Sequence, residues 1–169
     1  SISASMLKQL GVKFVIIGHS ERRQYQNESI SELSKKINSA LSKNLKVIFC
    51  IGEKLNEIKK RSSILKKQLK SLPIRFSSKD IIIAYEPVWA IGTGKTPTIK
   101  EISNIHKSIR KMIYKKIGKE ALKISILYGG SVNQNNSIDI LNLSDVDGAL
   151  VGGASLKHKD FCKIIDSSN

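Results

Sequence analysis

Five short apolar runs dominate the chain: Phe14-Val15-Ile16-Ile17, Val47-Ile48-Phe49-Cys50-Ile51, Ile81-Ile82-Ile83-Ala84, Ile124-Ser125-Ile126-Leu127-Tyr128 and Gly148-Ala149-Leu150-Val151. They follow one another at intervals of roughly 25 to 45 residues, which leaves room for a helix between each pair. Runs this apolar have no polar face to show to water, so they read as strands covered on both sides. The intervening segments carry helical periodicity. Ile30, Leu33, Ile37, Ala40 and Leu41 share one face over residues 29–43. Ile99, Ile102, Ile105, Ile109, Met112, Ile113 and Ile117 line a second helix, with Thr98 and Glu101 in capping-box spacing and Gly118 at its end. A polar, basic helix is predicted from Leu55 to Leu72, closed by Pro73, a short one over Ser137–Leu141, and a last one from Lys159 to Asp166. Ser3 to Leu10 reads as the end of a further helix, stopped at Gly11. Strand and helix in alternation imply an α/β fold with a parallel sheet.

A doubly wound sheet concentrates its chemistry at one switch point, whereas a (β/α)8 barrel carries it at the end of every strand. Here all five runs end in Gly or polar residues: Gly18-His19-Ser20, Gly52-Glu53, Glu86, Gly129-Gly130-Ser131 and Gly152-Gly153. That pattern favours the barrel. An eight-stranded barrel takes about 250 residues. The 169 residues are therefore expected to form one domain, residues 1–169, the C-terminal part of an incomplete barrel holding strands 4 to 8 and their helices. The chain opens on Ser1-Ile2-Ser3 in what reads as mid-helix, with no initiating Met, and about 80 residues of barrel are expected upstream.

The most specific stretch is Ala84-Tyr85-Glu86-Pro87-Val88-Trp89-Ala90-Ile91-Gly92-Thr93-Gly94-Lys95. A carboxylate at the mouth of a buried strand loses solvation, which raises its pKa and makes it a usable base near neutrality. Pro87 stops strand pairing, and Gly92 and Gly94 allow backbone shapes that other residues resist. A plain strand-to-helix connection carrying a solvated Glu is the alternative. His19 also follows a buried strand, and a His there polarises a carbonyl as a neutral donor when a positive field keeps the ring unprotonated. Taken alone, a His that satisfies its own backbone at the start of a loop is the commoner case, and only together with Glu86 does the balance reverse. Paired glycines at Gly129-Gly130 and Gly152-Gly153 let backbone N–H groups approach an anion closely. Two such pairs on successive strand ends favour a phosphate cradle over two merely tight turns.

These stretches resemble the triosephosphate isomerase family. The twelve residues around Glu86 are similar to that family's base-and-lid signature, and Ile17-Gly18-His19-Ser20-Glu21-Arg22-Arg23 to its electrophilic-His motif. The family's mechanism is a well-known example, taken here from the resemblance. It implies that Glu86 moves a proton between neighbouring carbons of a phosphorylated triose through an enediolate, with His19 stabilising the oxygens. It implies a phosphate held by Gly92, Ser131, Gly152 and Gly153, and a loop, 87–97, that closes over it and excludes water. The activity is interconversion of dihydroxyacetone phosphate and glyceraldehyde 3-phosphate, in glycolysis and gluconeogenesis. The full-length protein would be a cytoplasmic homodimer. Glu21 resembles a supporting member of the site, expected to be ion-paired, while Arg22, Arg23 and Glu53 read as ion-pair members at strand ends. His106 and His158 match no motif and read as helix-surface residues.

Where the chain departs from the family, the resemblance loses support. The family's catalytic Lys and its Asn partner lie on the first strand, and neither is here. The chain alone is therefore expected to have negligible activity, and opened strand edges to make it poorly soluble. A non-catalytic phosphate-binding barrel fragment is the alternative function. Neither the motif set nor any Cys/His cluster calls for a metal or organic cofactor. The two cysteines make no disulfide framework, and Cys50 reads as a core residue. Lys plus Arg total 29 against 14 Asp plus Glu, a formal net charge of +15. These lysines are spread along helix faces without aromatic interleaving, so nucleic-acid binding is not expected, and the field instead suits steering of an anionic substrate. No apolar run approaches the roughly 20 residues that a membrane span needs.

Overall fold

A computed structural model of the chain describes residues 2–93 and 95–168. The readings of Ser1 and of Gly94 fall outside the described residues.

Four strands, β1 (Phe14–Ile17), β2 (Lys46–Ile51), β3 (Ile81–Tyr85) and β4 (Ile126–Tyr128), form one sheet in the order β1-β2-β3-β4. Every pairing is parallel, with Ile17 opposite Phe49, Ile51 opposite Tyr85, and Tyr85 opposite Tyr128. The helices are α1 (Ala4–Gln9), α2 (Ser20–Tyr25), α3 (Ile30–Ser42), α4 (Arg61–Gln68), α5 (Ile99–Ile117), α6 (Ser137–Leu141) and α7 (His158–Asp166). Capping boxes start the two longest: Ser29 and Glu32 at α3, Thr98 and Glu101 at α5. Each satisfies two backbone N–H groups that a helix start leaves without partners.

The strand pleat separates two faces. Val47, Phe49, Ile51, Ile81, Ile83, Tyr85, Ile126 and Tyr128 are buried and share a core with Leu33, Ile37, Ile102, Ile109 and Ile113 of the helices. On the opposite face Ile48, Ile82 and Leu127 are only part-buried, and Ile16 is 49% exposed. Cys50 and Ala84 on that face are wholly buried, so the opposite face is covered toward the C-terminal ends of β2 and β3 and opens around Ile16, while the helix side is covered more completely.

The structure corrects several readings of detail. The predicted fifth strand is reduced to a single bridge between Ala149 and Tyr128. The backbone still follows β4 there: Asp147 N–H donates to Ile126, Tyr128 N–H to Gly148, and Leu150 N–H to Tyr128. The fourth strand starts at Ile126, because Ile124 ends the 3-10 turn 118–123. The helix expected over Leu55–Leu72 is three pieces, 3-10 turns at 55–60 and 69–71 flanking α4. Ser3 is an N-cap, its side chain accepting from Met6 N–H, so α1 begins at Ala4 and Ser3 is not mid-helix.

His106 is the largest correction, being wholly buried rather than at the helix surface. It stands on the stripe Ile102–Ile105–His106–Ile109–Ile113, the α5 face that meets the sheet. Its Nδ1–H donates to the Asp145 carbonyl (3.2 Å), and its ring lies edge-on to Tyr85 with centroids 6.0 Å apart. Burial pulls its pKa down to about 4. His158 is exposed, as read.

Candidate active site

The site sits where β1, β2, β3 and β4 deliver their C-terminal ends. Glu86 follows Tyr85, the last residue of β3, and its N–H donates to the Ile51 carbonyl (2.7 Å), which continues the strand ladder by one residue. Its side chain is 1% exposed. Gly129, just past β4, leaves the space this carboxylate needs: a Cβ there would stand 3.0 Å from Glu86 Cγ.

Glu86 meets the start of α2. Ser20 N–H donates to Glu86 Oε2 (2.9 Å), and His19 Nε2 lies 3.1 Å from Oε1. Arg23 Nη2 is 3.8 Å from Oε2. Burial pushes the Glu86 carboxyl above the usual carboxylate range, while His19, the Ser20 amide, Arg23 and Cys50 pull it back. The upward direction wins, as the sequence predicts for a carboxylate at a strand mouth. Gly18 reaches this corner with φ of 76°, where a Cβ would press on the Cys50 carbonyl and the Phe49 ring at 3.1 Å. Glycine there lets the chain turn sharply from β1 into His19.

The segment after Glu86 is anchored at its root. Val88 N–H donates to the Glu53 carbonyl (3.0 Å), and a 3-10 turn covers Val88–Ala90. The wholly buried Glu53 carboxylate accepts from Tyr85 OH (3.0 Å), Trp89 Nε1–H (3.2 Å) and Arg61 Nε–H (2.8 Å). That is the ion-pair role read from the sequence, with the aromatic partners added. Arg22 pairs with Glu28 at 2.8 Å. Glu21 is exposed and has no ion pair among the described residues, contrary to the expectation for it. Further along, the Ser131 hydroxyl donates to the Ala90 carbonyl, linking the 87–93 segment to the loop after β4.

One cavity of about 410 Å³ brings together His19, Glu86, Gly92, Ser131, Gly152 and Gly153, the six residues singled out in the sequence. A Cβ at Gly92, Gly152 or Gly153 would meet nothing within 4 Å, so these positions open onto free space. Ile91, Leu150 and Val151 add apolar wall, and among the described residues no Lys or Arg lines the cavity. His19, Glu86, Ser131 and Asn133 are the polar side chains around it among those residues, and the Ser131 hydroxyl is engaged with the Ala90 carbonyl, so an anion bound there would lean mainly on backbone N–H groups. Sequence reasoning missed the Ser20 amide as the donor that holds Glu86, since a backbone donor leaves no trace in residue type. It also took Arg23 for an ordinary ion pair. Among the described residues no three His, Cys, Asp or Glu side chains group as a metal site would need. No helix in them is long and apolar enough to cross a membrane.

The comparisons agree along the whole chain. A family model described as triosephosphate isomerase matches residues 1–168. A triosephosphate isomerase of Alkaliphilus oremlandii is 46% identical over 172 aligned residues, covering 98% of this chain and 69% of that protein. One from Phocaeicola vulgatus is 49% identical, covering 98% of this chain and 68% of that protein. The crystal structure of triosephosphate isomerase from Bartonella henselae superposes with a TM-score of 0.91 at 42% identity, over 99% of this chain and 68% of that one. The chain thus spans about two thirds of the length of these relatives, and its parallel α/β fold matches that part of the Bartonella henselae structure.

Proposed function

This chain belongs to the triosephosphate isomerase family, and on that premise we propose that its chemistry runs through Glu86 and His19. Its function is the glycolytic interconversion of dihydroxyacetone phosphate and glyceraldehyde 3-phosphate, an aldose–ketose isomerisation. The single observation that carries the assignment of roles is the 3.1 Å approach of His19 Nε2 to Glu86 Oε1 at the wall of the 410 Å³ cavity. A buried carboxylate and an imidazole side by side can serve one carbonyl compound between them.

In this reading Glu86 takes a proton from the carbon next to the substrate carbonyl. Negative charge then develops on oxygen, where the His19 ring donates to it, and Glu86 returns the proton to the neighbouring carbon. A buried base with a raised pKa suits this step, because it must both accept and give back the proton near neutral pH. Backbone N–H groups at Gly92, Gly152 and Gly153, together with Ser131, hold the phosphate. The 87–97 loop closes over it and shuts water out.

We read residues 1–169 as one domain holding strands 4 to 8 of an eight-stranded barrel, with the segment at 147–150 in the place of the last strand. The half-open inner face around Ile16 and the absence of a cation from the cavity lining among the described residues support that reading, since a full barrel would cover the first and could supply the second. A homodimer and a cytoplasmic setting follow from the resemblance alone. The test is isomerisation of glyceraldehyde 3-phosphate by this chain joined to the first three strands of a relative's barrel. Glu86→Gln should lower kcat by about 10²–10⁴-fold with folding intact. An unchanged rate would refute the assignment of Glu86. Phosphate-analogue binding with no turnover in the joined protein would favour a binding role for this site.

A further inference from the structure

We infer that Arg23 is a positioning residue for Glu86, a rigidly held cation that keeps the carboxylate ionised and drawn to the cavity wall until substrate arrives. The inference rests on Glu86 being the base.

Three guanidinium nitrogens of Arg23 have separate assignments. Nε–H donates to the Gly18 carbonyl (2.7 Å) and Nη1–H to the Gly52 carbonyl (3.0 Å). These carbonyls follow β1 and β2, so the planar group is clamped across two strand ends and cannot follow a moving partner. The third, Nη2, is buried and without a hydrogen-bond partner among the described residues. It faces Glu86 Oε2 at 3.8 Å. A buried donor left in this state costs free energy, and the nearest acceptor of opposite charge is the carboxylate itself. Oε2 is simultaneously held by the Ser20 amide, so a shift of about 1 Å toward Arg23 completes a charge-assisted pair. Sequence spacing supports the arrangement, because His19, Ser20 and Arg23 all stand on the first turn of α2 or its cap.

The groups facing Glu86 are His19, the Ser20 amide and Arg23 from α2, and Cys50 from β2. Those facing Arg23 are Glu86, Cys50, Glu57 and Glu53. Among the groups around Glu86, Arg23 alone is charged at every working pH. Remove it and burial is opposed mainly by His19 and one amide. The carboxyl then holds its proton further into the neutral range, and less of it stands ready as the ionised base at a given pH. A purely structural Arg23, tying β1 to β2, would change stability and leave the Glu86 titration where it is.

The test is a carbon-13 NMR titration of the Glu86 carboxyl in the chain itself, for the parent, Arg23→Gln and Arg23→Lys, with thermal melts alongside. Arg23→Gln should raise the Glu86 midpoint by about 1–3 pH units, and Arg23→Lys should restore part of the shift. A midpoint that does not move in folded Arg23→Gln overturns the proposal. Should that variant fail to fold, the parent decides: the Arg23 Nη resonances must shift in step with the Glu86 titration, and resonances that ignore it overturn the proposal as well. The titration reads the carboxyl whether or not turnover occurs. It therefore stands apart from the Glu86→Gln rate measurement, whose failure would instead remove Glu86 as the base.

Discussion

Gly52 and Glu86 meet backbone to backbone, so closely that a Cβ built on Gly52 would stand 1.7 Å from the Glu86 carbonyl oxygen. The end of β2 is thus cut away to let the chain carrying Glu86 pass. Gly52 N–H also donates to Gln68 Oε1 (2.8 Å), and its carbonyl accepts from Gln68 and Arg23. One residue without a side chain ties α4, α2 and the Glu86 strand end together.

Gly52→Ala should therefore displace Glu86 as well as strain the fold. The clash is with backbone, which has no rotamer to yield, so a cost of about 1–3 kcal/mol is expected. Urea unfolding measures the loss. The Ser20–Glu86 hydrogen bond should weaken in the same variant, seen as faster exchange of the Ser20 amide.

Gly153→Ala should behave in the opposite way. Its Cβ would meet no protein atom within 4 Å and would project into free space beside the cavity. Melting should be little changed, while the affinity for a phosphate analogue falls about tenfold, equivalent to roughly 1.4 kcal/mol. Unchanged affinity would remove Gly153 from the phosphate cradle.

His106 should make the fold acid-sensitive. Its pKa is 6.5 when unperturbed and about 4 in the folded chain, so between these values the unfolded state holds a proton that the folded state lacks. Stability from this residue is fully present above pH 6.5 and is lost as pH falls to about 4. The full loss is about 3 kcal/mol. Urea midpoints measured across that range should flatten in His106→Asn relative to the parent.

Glu86 acts with the other sign. Burial raises its carboxyl, so in the window above the ordinary carboxylate value the folded state holds the proton and the unfolded state has released it. Its contribution is greatest below that window and declines as pH rises through the raised value. Glu86→Gln should accordingly be at least as stable as the parent at pH 8 and lose that advantage in acid. A variant clearly less stable than the parent at pH 8 would contradict the burial cost assigned to this carboxylate.

Much of the site was legible because its parts lie at strand ends, and strand ends can be read from where an apolar run stops. Glu86, His19 and the two glycine pairs were found that way. Arg23 was legible only as a charge, since its role depends on the Gly18 and Gly52 carbonyls, 5 and 29 residues away in the chain. The fifth strand was legible as an apolar run, but strand character also needs a neighbour, and β4 pairs with it over one short stretch.

The sequence by itself determined the alternation of strand and helix, the Thr98–Glu101 capping box and the place of Glu86 at a strand end, because each depends on residues close to one another in the chain. Tertiary structure alone decided which face of the sheet is covered more completely, that His106 is buried between tyrosines of β3 and β4, and that Arg23 is aimed at Glu86. Those outcomes depend on which distant surfaces meet, and burial then sets the cost of every charge placed there.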